Sequence, residues 1–348
     1  MIFCFDMIFS LFRVRPQYTL TDLGMLPFGS MRTAKKILVV GDLILDALHQ
    51  GVCVGNSLEH AKTPLVLGQS SSFLWGGAGL LVRNILTLGG VVSFISALGV
   101  DEFAEKADQF THPRLKKLFL RNPHNPTTVK QRFCTGESII LNWHQFDNAP
   151  LPKALADALL ARVRAELPSA SKVMILDARH GLLTSVLVQK IIEECTRRHI
   201  PLYIDSQVYY NHTGNHLWYK GASLFSLNLK EARSIDSNFD LKKTETSLAR
   251  LQKILHAKDI VVKLGAQGSV ALIGEDYIKT RAHRVREVDA TGAGDSFMGA
   301  LALGGASPTR EDLERANVWA ALSTTKIGTT LPPLSALKTH LKKYRSNH

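Results

Sequence analysis

From residue 36 onward the chain alternates short unbroken apolar runs with longer stretches whose apolar residues fall on one helical face. The runs are Lys36–Gly41, Val91–Ser96, Lys172–Asp177, Ile200–Asp205, Ala222–Leu227 and Asp259–Leu264. Runs of this length, bounded by polar residues or glycine, predict strands buried on both faces of a sheet. Residues 77–88 and the faces Leu155–Leu159–Val163, Leu187–Ile191–Ile192–Cys195 and Leu248–Leu251–Leu255 predict helices between them. Ser307 and Pro308, followed by Glu311 and Asp312, mark one more helix start, because proline and carboxylates suit a first helical turn. Such alternation predicts an α/β fold: a doubly wound, mostly parallel sheet with helices on both faces.

Two regions break the pattern. Residues 43–75 and 125–147 carry strand-like segments at 63–67, 127–133 and 138–143. They predict a small β-sheet lid inserted into a domain spanning 35–340. In doubly wound sheets ligands collect at the carboxyl ends of the strands. Asp42, Asp177, Asp205 and Asn228 all fall at such ends. Each could also be an ordinary turn or helix cap.

Composition narrows the function classes. The four cysteines of the 348 residues are scattered, with no C-x-x-C pair, which argues against a disulfide framework or a zinc site and fits a reducing cytoplasm. A formal charge of +12 raises nucleic acid as a partner, but the basic residues are dispersed and no zinc-finger or RNP-type motif accompanies them. Nucleic acid is therefore not the expected partner. Residues 1–34 begin with an apolar stretch that carries Asp6 and is too short to span a bilayer. They are expected to be a disordered extension, or to precede a true start at Met25 or Met31, and no membrane association is expected. Residues 341–348 are expected to form a basic tail.

The segment Val288–Phe297 carries the chemistry. Gly292 and Gly294 let backbone approach a ligand closely, and the helix predicted to start there presents free N–H groups to an anion. A carboxylate at Asp295 would repel a bound phosphate unless it served to take a proton from an attacking hydroxyl. An aspartate that merely stabilises the helix dipole is the alternative reading.

Asp289-Ala-Thr291-Gly-Ala-Gly-Asp295-Ser-Phe297 resembles the C-terminal signature of the ribokinase-like (PfkB) carbohydrate kinases. The resemblance extends over roughly residues 35 to 335. It implies Asp295 as catalytic base and the amides of Gly292, Ala293 and Gly294 as the anion hole, with Thr291 beside the nucleotide. Asn228-Leu-Lys-Glu231 resembles the Asn-x-x-Glu motif that organises Mg²⁺ and the phosphates of ATP, with Glu231 acting through water. Taken alone, the same residues read as a capping box. Lys263-Leu-Gly265-Ala-Gln-Gly268, Asn317 and Gly328 correspond to positions bordering the nucleotide. Asp289 corresponds to a residue that helps hold a monovalent cation such as K⁺. No G-x-x-x-x-G-K-[ST] loop is present.

Gly41-Asp42-Leu-Ile-Leu-Asp46 and Pro126-Thr-Thr-Val-Lys130-Gln-Arg132 resemble heptose-7-phosphate kinases of lipopolysaccharide core synthesis. That likeness implies sugar contacts from Asp42, Asp46, Gly76, Gly77, Asn84 and Asp177. Lys130 and Arg132, on one face of a strand, could meet a phosphate on the substrate or form a solvated basic face. This chain departs from those kinases at Leu80, His180 and Gln207, where they carry Asn, Lys and Lys. The segment His212-Thr-Gly-Asn-His216 is not the His-x-Gly-His of their nucleotidyltransferase partner domain. The expected partners are a sugar or sugar phosphate, a second copy of the chain, and a separate nucleotidyltransferase.

Overall fold

The computed structural model describes residues 36–136, 138–208 and 214–346. The expectations for residues 1–34 and for the His212 end of 212–216 lie outside the described residues. In chain order the elements are β1 (Lys36–Gly41), β2 (Leu43–Asn56), β3 (Pro64–Gly77), α1 (Ala78–Thr87), β4 (Val91–Leu98), α2 (Glu102–Asp108) and β5 (Leu115–Arg121). There follow β6 (Val129–Thr135), β7 (Ser138–Gln145), α3 (Lys153–Glu166), β8 (Ala170–Asp177), α4 (Ser185–Arg197), β9 (Leu202–Ser206), β10 (Leu224–Asn228) and α5 (Leu229–Ile235). The last are α6 (Thr244–Leu255), β11 (Asp259–Lys263), β12 (Ser269–Ile273), β13 (Asp276–Thr280), α7 (Ala293–Leu301), α8 (Arg310–Ser323) and α9 (Leu334–Ser346).

The large sheet has the order β13-β12-β11-β10-β9-β8-β1-β4-β5. Every pairing from β5 to β11 is parallel, and the β12–β13 hairpin closes one edge antiparallel. Successive side chains leave opposite faces of a strand. Thus Ile37 and Val39 of β1 join the core under α1, α7 and α8, while Leu38 and Val40 join the core under α3, α4 and α6. Chain order reverses direction at β1, which leaves a crevice at the carboxyl ends of β1 and β8, where ligands of such sheets bind.

The second sheet runs β3-β2-β6-β7, two antiparallel hairpins joined by the parallel β2–β6 pair. It draws on residues 43–77 and 129–145. β2 leaves the large sheet after a single residue, Asp42, and its partner β3 returns directly into α1. The Ala78 amide donates to the Asp42 carbonyl oxygen at 3.0 Å, so both ends of this hairpin meet at one point.

Residues 341–346, expected to begin a basic tail, are the last turns of α9. Leu337 and Tyr344 are buried there, and the Tyr344 hydroxyl donates to the Arg281 carbonyl oxygen at 2.9 Å. The basic cluster Arg114–Lys117 is likewise absorbed into structure. Arg114 donates to the Gly89 carbonyl oxygen, Lys116 pairs with Glu166, and Lys117 donates to the Asp108 carbonyl oxygen.

Candidate active site

Gly292 starts α7 in the left-handed region, with φ 77°, and a Cβ there would stand 2.4 Å from Leu80 Cδ2. Only glycine fits that turn without strain. Asp289 fixes the turn from its other side, accepting the Thr291 amide at 2.9 Å and the Gly328 amide at 2.8 Å. Burial works against the Asp289 charge, but these donors hold its pKa below the usual carboxylate range. The Ala293 amide, expected in the anion hole, instead closes the turn onto the Ala290 carbonyl oxygen at 3.2 Å. The helix start therefore presents Gly292, Gly294 and Asp295 to an anion.

Asp295 sits half-buried in the first turn of α7, on the wall of a cleft of about 820 Å³. Its pKa is pushed up to about 8, first by burial and then by the charge of Asp205, while Lys263 and Lys130 oppose the rise. The Lys263 ammonium donates to Asp205 at 2.5 Å and would lie 3.4 Å from a Cβ on Gly294, so it borders the start of α7. Burial disfavours that ammonium, yet Asp205, Glu231 and Asp295 raise its pKa.

Asn228 and Glu231 form a complete capping box on α5, the Asn228 side chain accepting the Glu231 amide and Glu231 accepting the Asn228 amide. Glu231 nevertheless lines the cleft, and its pKa is pushed up to about 7 by burial and by Asp205. Gly265 and Gly268 turn the chain between β11 and β12 on the same cleft. Gly268 has φ 92°, and a Cβ there would fall 2.2 Å from the Thr280 carbonyl oxygen. Asn317 reaches the cleft wall, but its amide donates to Ser269 and Thr280 and so braces the β12–β13 hairpin.

A second group gathers under the small sheet. Asp46 is buried, 3.4 Å from both Arg132 Nη1 and Thr329 Oγ1. Its pKa is raised by burial, against the pull of Arg132 and Lys130. A Cβ on Gly76 would stand 2.2 Å from Asp46 Oδ2, and one on Gly77 2.7 Å from the Asp42 carbonyl oxygen, which explains both glycines. Lys130 lies opposite Asp46 in the sheet, and its pKa is lowered by burial while Asp46, Asp295 and Asp42 support its charge. Asp42 accepts the Ala178 amide at 3.0 Å and is pushed up to about 7 by burial and by Asp177. With His180 it lines a further cavity of about 40 Å³ at the ends of β1, β4 and β5.

Two expected sugar contacts are corrected. Asn84 is wholly buried, donating to the Leu80 carbonyl oxygen and accepting from Trp319 Nε1 at 2.7 Å; it is a strut between α1 and α8. Asp177 is 1% exposed and accepts from the Arg179 amide, Asn215 Nδ2 and the Tyr219 hydroxyl, so its oxygens are spent inside the protein. Conversely, motif reading assigned no role to the Asp205–Lys263 pair, to His144 and His180 near Lys130, or to the irregular segment 282–287 on the cleft wall. Asp205 was visible as a strand-end carboxylate; the 282–287 segment carries no motif. Among the described residues no cluster of three or more His, Cys, Asp or Glu could by itself hold a metal, and no helix is long and apolar enough to cross a membrane.

Comparison with known proteins agrees with this geometry. Residues 34–336 match the pfkB family of carbohydrate kinases. The chain is 29% identical over 334 residues to the bifunctional protein HldE of Nitrobacter winogradskyi, covering 91% of this chain and 66% of that protein. It is 31% identical over 311 residues to the HldE of Campylobacter concisus, covering 87% of this chain and 64% of that protein. The chain thus spans just under two thirds of the length of these relatives. Phosphofructokinase-2 from Escherichia coli, solved in complex with potassium, superposes with a TM-score of 0.74 at 17% identity, over 90% of this chain and 99% of that one. Ribokinase from Arabidopsis thaliana, complexed with ribose and ATP, gives 0.64 at 19% identity, over 89% and 99%. The signature around Asp295, the two-sheet fold and the match over residues 34–336 agree: the chain belongs to the pfkB family of carbohydrate kinases, phosphotransferases with an alcohol group as acceptor.

Proposed function

We propose that the chain transfers the γ-phosphoryl group of ATP to a hydroxyl of a sugar phosphate, most closely a heptose 7-phosphate on the way to the ADP-heptose of lipopolysaccharide. The observation that carries this reading is Asp295 at the start of α7, between the large cleft and the Asp46–Lys130 group. In the proposed reaction Asp295 accepts the hydroxyl proton, the freed oxygen bonds to the γ-phosphorus, and the bond to the bridging oxygen of ADP breaks. The amides of Gly292, Gly294 and Asp295, with Lys263, receive the charge of the transferring group.

Mg²⁺ suits the donor set. Glu231 and Asp205 oppose one another electrostatically beside the phosphate cradle, the surroundings of a hard cation held through water. When bound, that ion neutralises charge on the phosphates. Asp289, which orders both the 289–291 turn and the Gly328 loop, is the proposed neighbour of a monovalent cation such as K⁺. Asp46 supplies the sugar contact, and Lys130 and Arg132 supply the contact for a phosphate already on the sugar. Leu80, packed beneath Gly292, favours a second reading in which another sugar is the acceptor.

A homodimer through the small sheet is also proposed. Leu65, Leu67, Ile139, Leu141 and Trp143 are exposed apolar residues on its strands. The free thiols of Cys53, Cys134 and Cys195 support a cytoplasmic location.

The test is ADP formation from MgATP with a panel of sugars and sugar phosphates that includes heptose 7-phosphates. Asp295→Asn is expected to lower kcat by about 10²- to 10⁴-fold while nucleotide affinity is retained. Turnover in that variant close to the parent's would remove the assignment of the base.

A further inference from the structure

The Asp46–Lys130 group under the small sheet holds more basic groups than Lys130 and Arg132. In the β6–β7 pair His144 stands directly across from Lys130, and Asn142 across from Arg132. Cross-strand partners share a face, so Lys130, Arg132 and His144 lie on the side of the small sheet that carries Asp46. His180, on the loop after β8, approaches the same place from the large sheet. Its ring packs against Phe146 with centroids 4.9 Å apart, and its Nδ1 lies 2.9 Å from Asn148 Oδ1. An amide oxygen accepts, so Nδ1 carries the hydrogen and Nε2 of the neutral ring carries the lone pair.

We propose that His144 and His180 form, with Lys130 and Arg132, a proton-linked subsite for a phosphate already present on the substrate, with a proton passing from solvent to an imidazole nitrogen as the dianion docks. This rests on the sugar-phosphate reading above and adds to it a pH-dependent selectivity.

The electrostatics agree with the placement. His180 is brought down to about 4 by burial, then by Lys130 and His144. His144 is lowered by burial, Lys130 and Arg132, against Asp46. Other charged groups also face His180. Asp42 accepts its amide at 3.4 Å, Arg179 is its chain neighbour, Asp177 ends β8, and Asp147 shares the small cavity. In the absence of an anion both rings are therefore neutral near pH 7. A phosphate between the two lysine and arginine heads cancels their repulsion and favours the charged imidazole. Two cations and two protonatable rings thus select a dianion over a neutral sugar, most strongly on the acid side.

Sulfate is the probe, because its charge does not titrate in this range. It is titrated calorimetrically into the full chain, with the nucleotide cradle filled by magnesium and a non-hydrolysable ATP analogue. The dissociation constant is expected to weaken at least about tenfold between about pH 5.5 and about pH 8, one linked proton giving up to about tenfold per unit. In a His144→Gln/His180→Gln double variant that dependence is expected to shrink to about twofold or less. Lys130→Met is expected to weaken binding at every pH. If Lys130→Met weakens sulfate but the parent's affinity does not change with pH, the proton linkage is overturned and the phosphate reading stands. If the double variant keeps the parent's slope, a group other than the two histidines titrates and the proposal fails. If no sulfate binding responds to Lys130→Met, the phosphate reading fails and takes this inference with it, leaving the role of Asp295 untouched.

Discussion

At the scale of single residues, the active centre is a set of carboxylates tuned against two lysines. In its proposed role Asp295 must be ionised to accept a proton, and burial followed by the Asp205 charge pushes its pKa up to about 8. Activity should therefore fall as pH drops through the pKa of Asp295. Asp205→Asn removes a repelling charge and should move the acid limb of the kcat/KM profile to lower pH by about one unit. Lys263→Met removes a supporting cation and should move the limb the opposite way; shifts of the same sign, or none, would overturn this electrostatic account. The glycine turn that starts α7 was legible in sequence because its residues are contiguous and the backbone dictates them. Asn84 and Asp177 were misassigned because distant partners claim their side chains: Trp319 for the first, Asn215 and Tyr219 for the second. His144 and His180 are brought together by two separate sheets, which no local pattern records.

At the scale of elements, the strands buried on both faces were the easiest to read, as the runs at β1, β8 and β11 demonstrate. β2 was not. Its buried first half gives way to an exposed second half, and irregularities at Gln50/Gly51 and Cys53/Gly55 break the alternation that marks a strand. The end of α9, residues 341–346, was read as a tail because its charge obscures the buried Tyr344. The junction of β3 with α1 offers a sharp test. A methyl group on Gly76 has no room beside Asp46 Oδ2, so Gly76→Ala should displace that carboxylate. KM for the sugar is expected to rise about tenfold or more while ATP affinity stays level. An unchanged sugar KM would remove Asp46 from the acceptor site.

At the scale of the molecule, the large sheet supplies the proposed nucleotide cleft and the small sheet the proposed acceptor contacts. The doubly wound architecture was legible because its alternation is global and redundant. What covers the small sheet was not, since exposed apolar residues carry no address. If the sheet is the contact between two copies, Trp143→Glu with Leu141→Glu should give monomers in sedimentation while ATP binding persists; an unaltered sedimentation coefficient would place the contact elsewhere. The attachment of the β2–β3 hairpin has a further consequence. Both of its ends meet the large sheet at the Asp42–Ala78 hydrogen bond, so the hairpin joins that sheet at one point and is otherwise held by the β2–β6 pairing of the small sheet. Residues 43–77 thus form a cassette exchangeable for a hairpin of different selectivity that keeps the edge toward β6, without rerouting the chain through the large sheet.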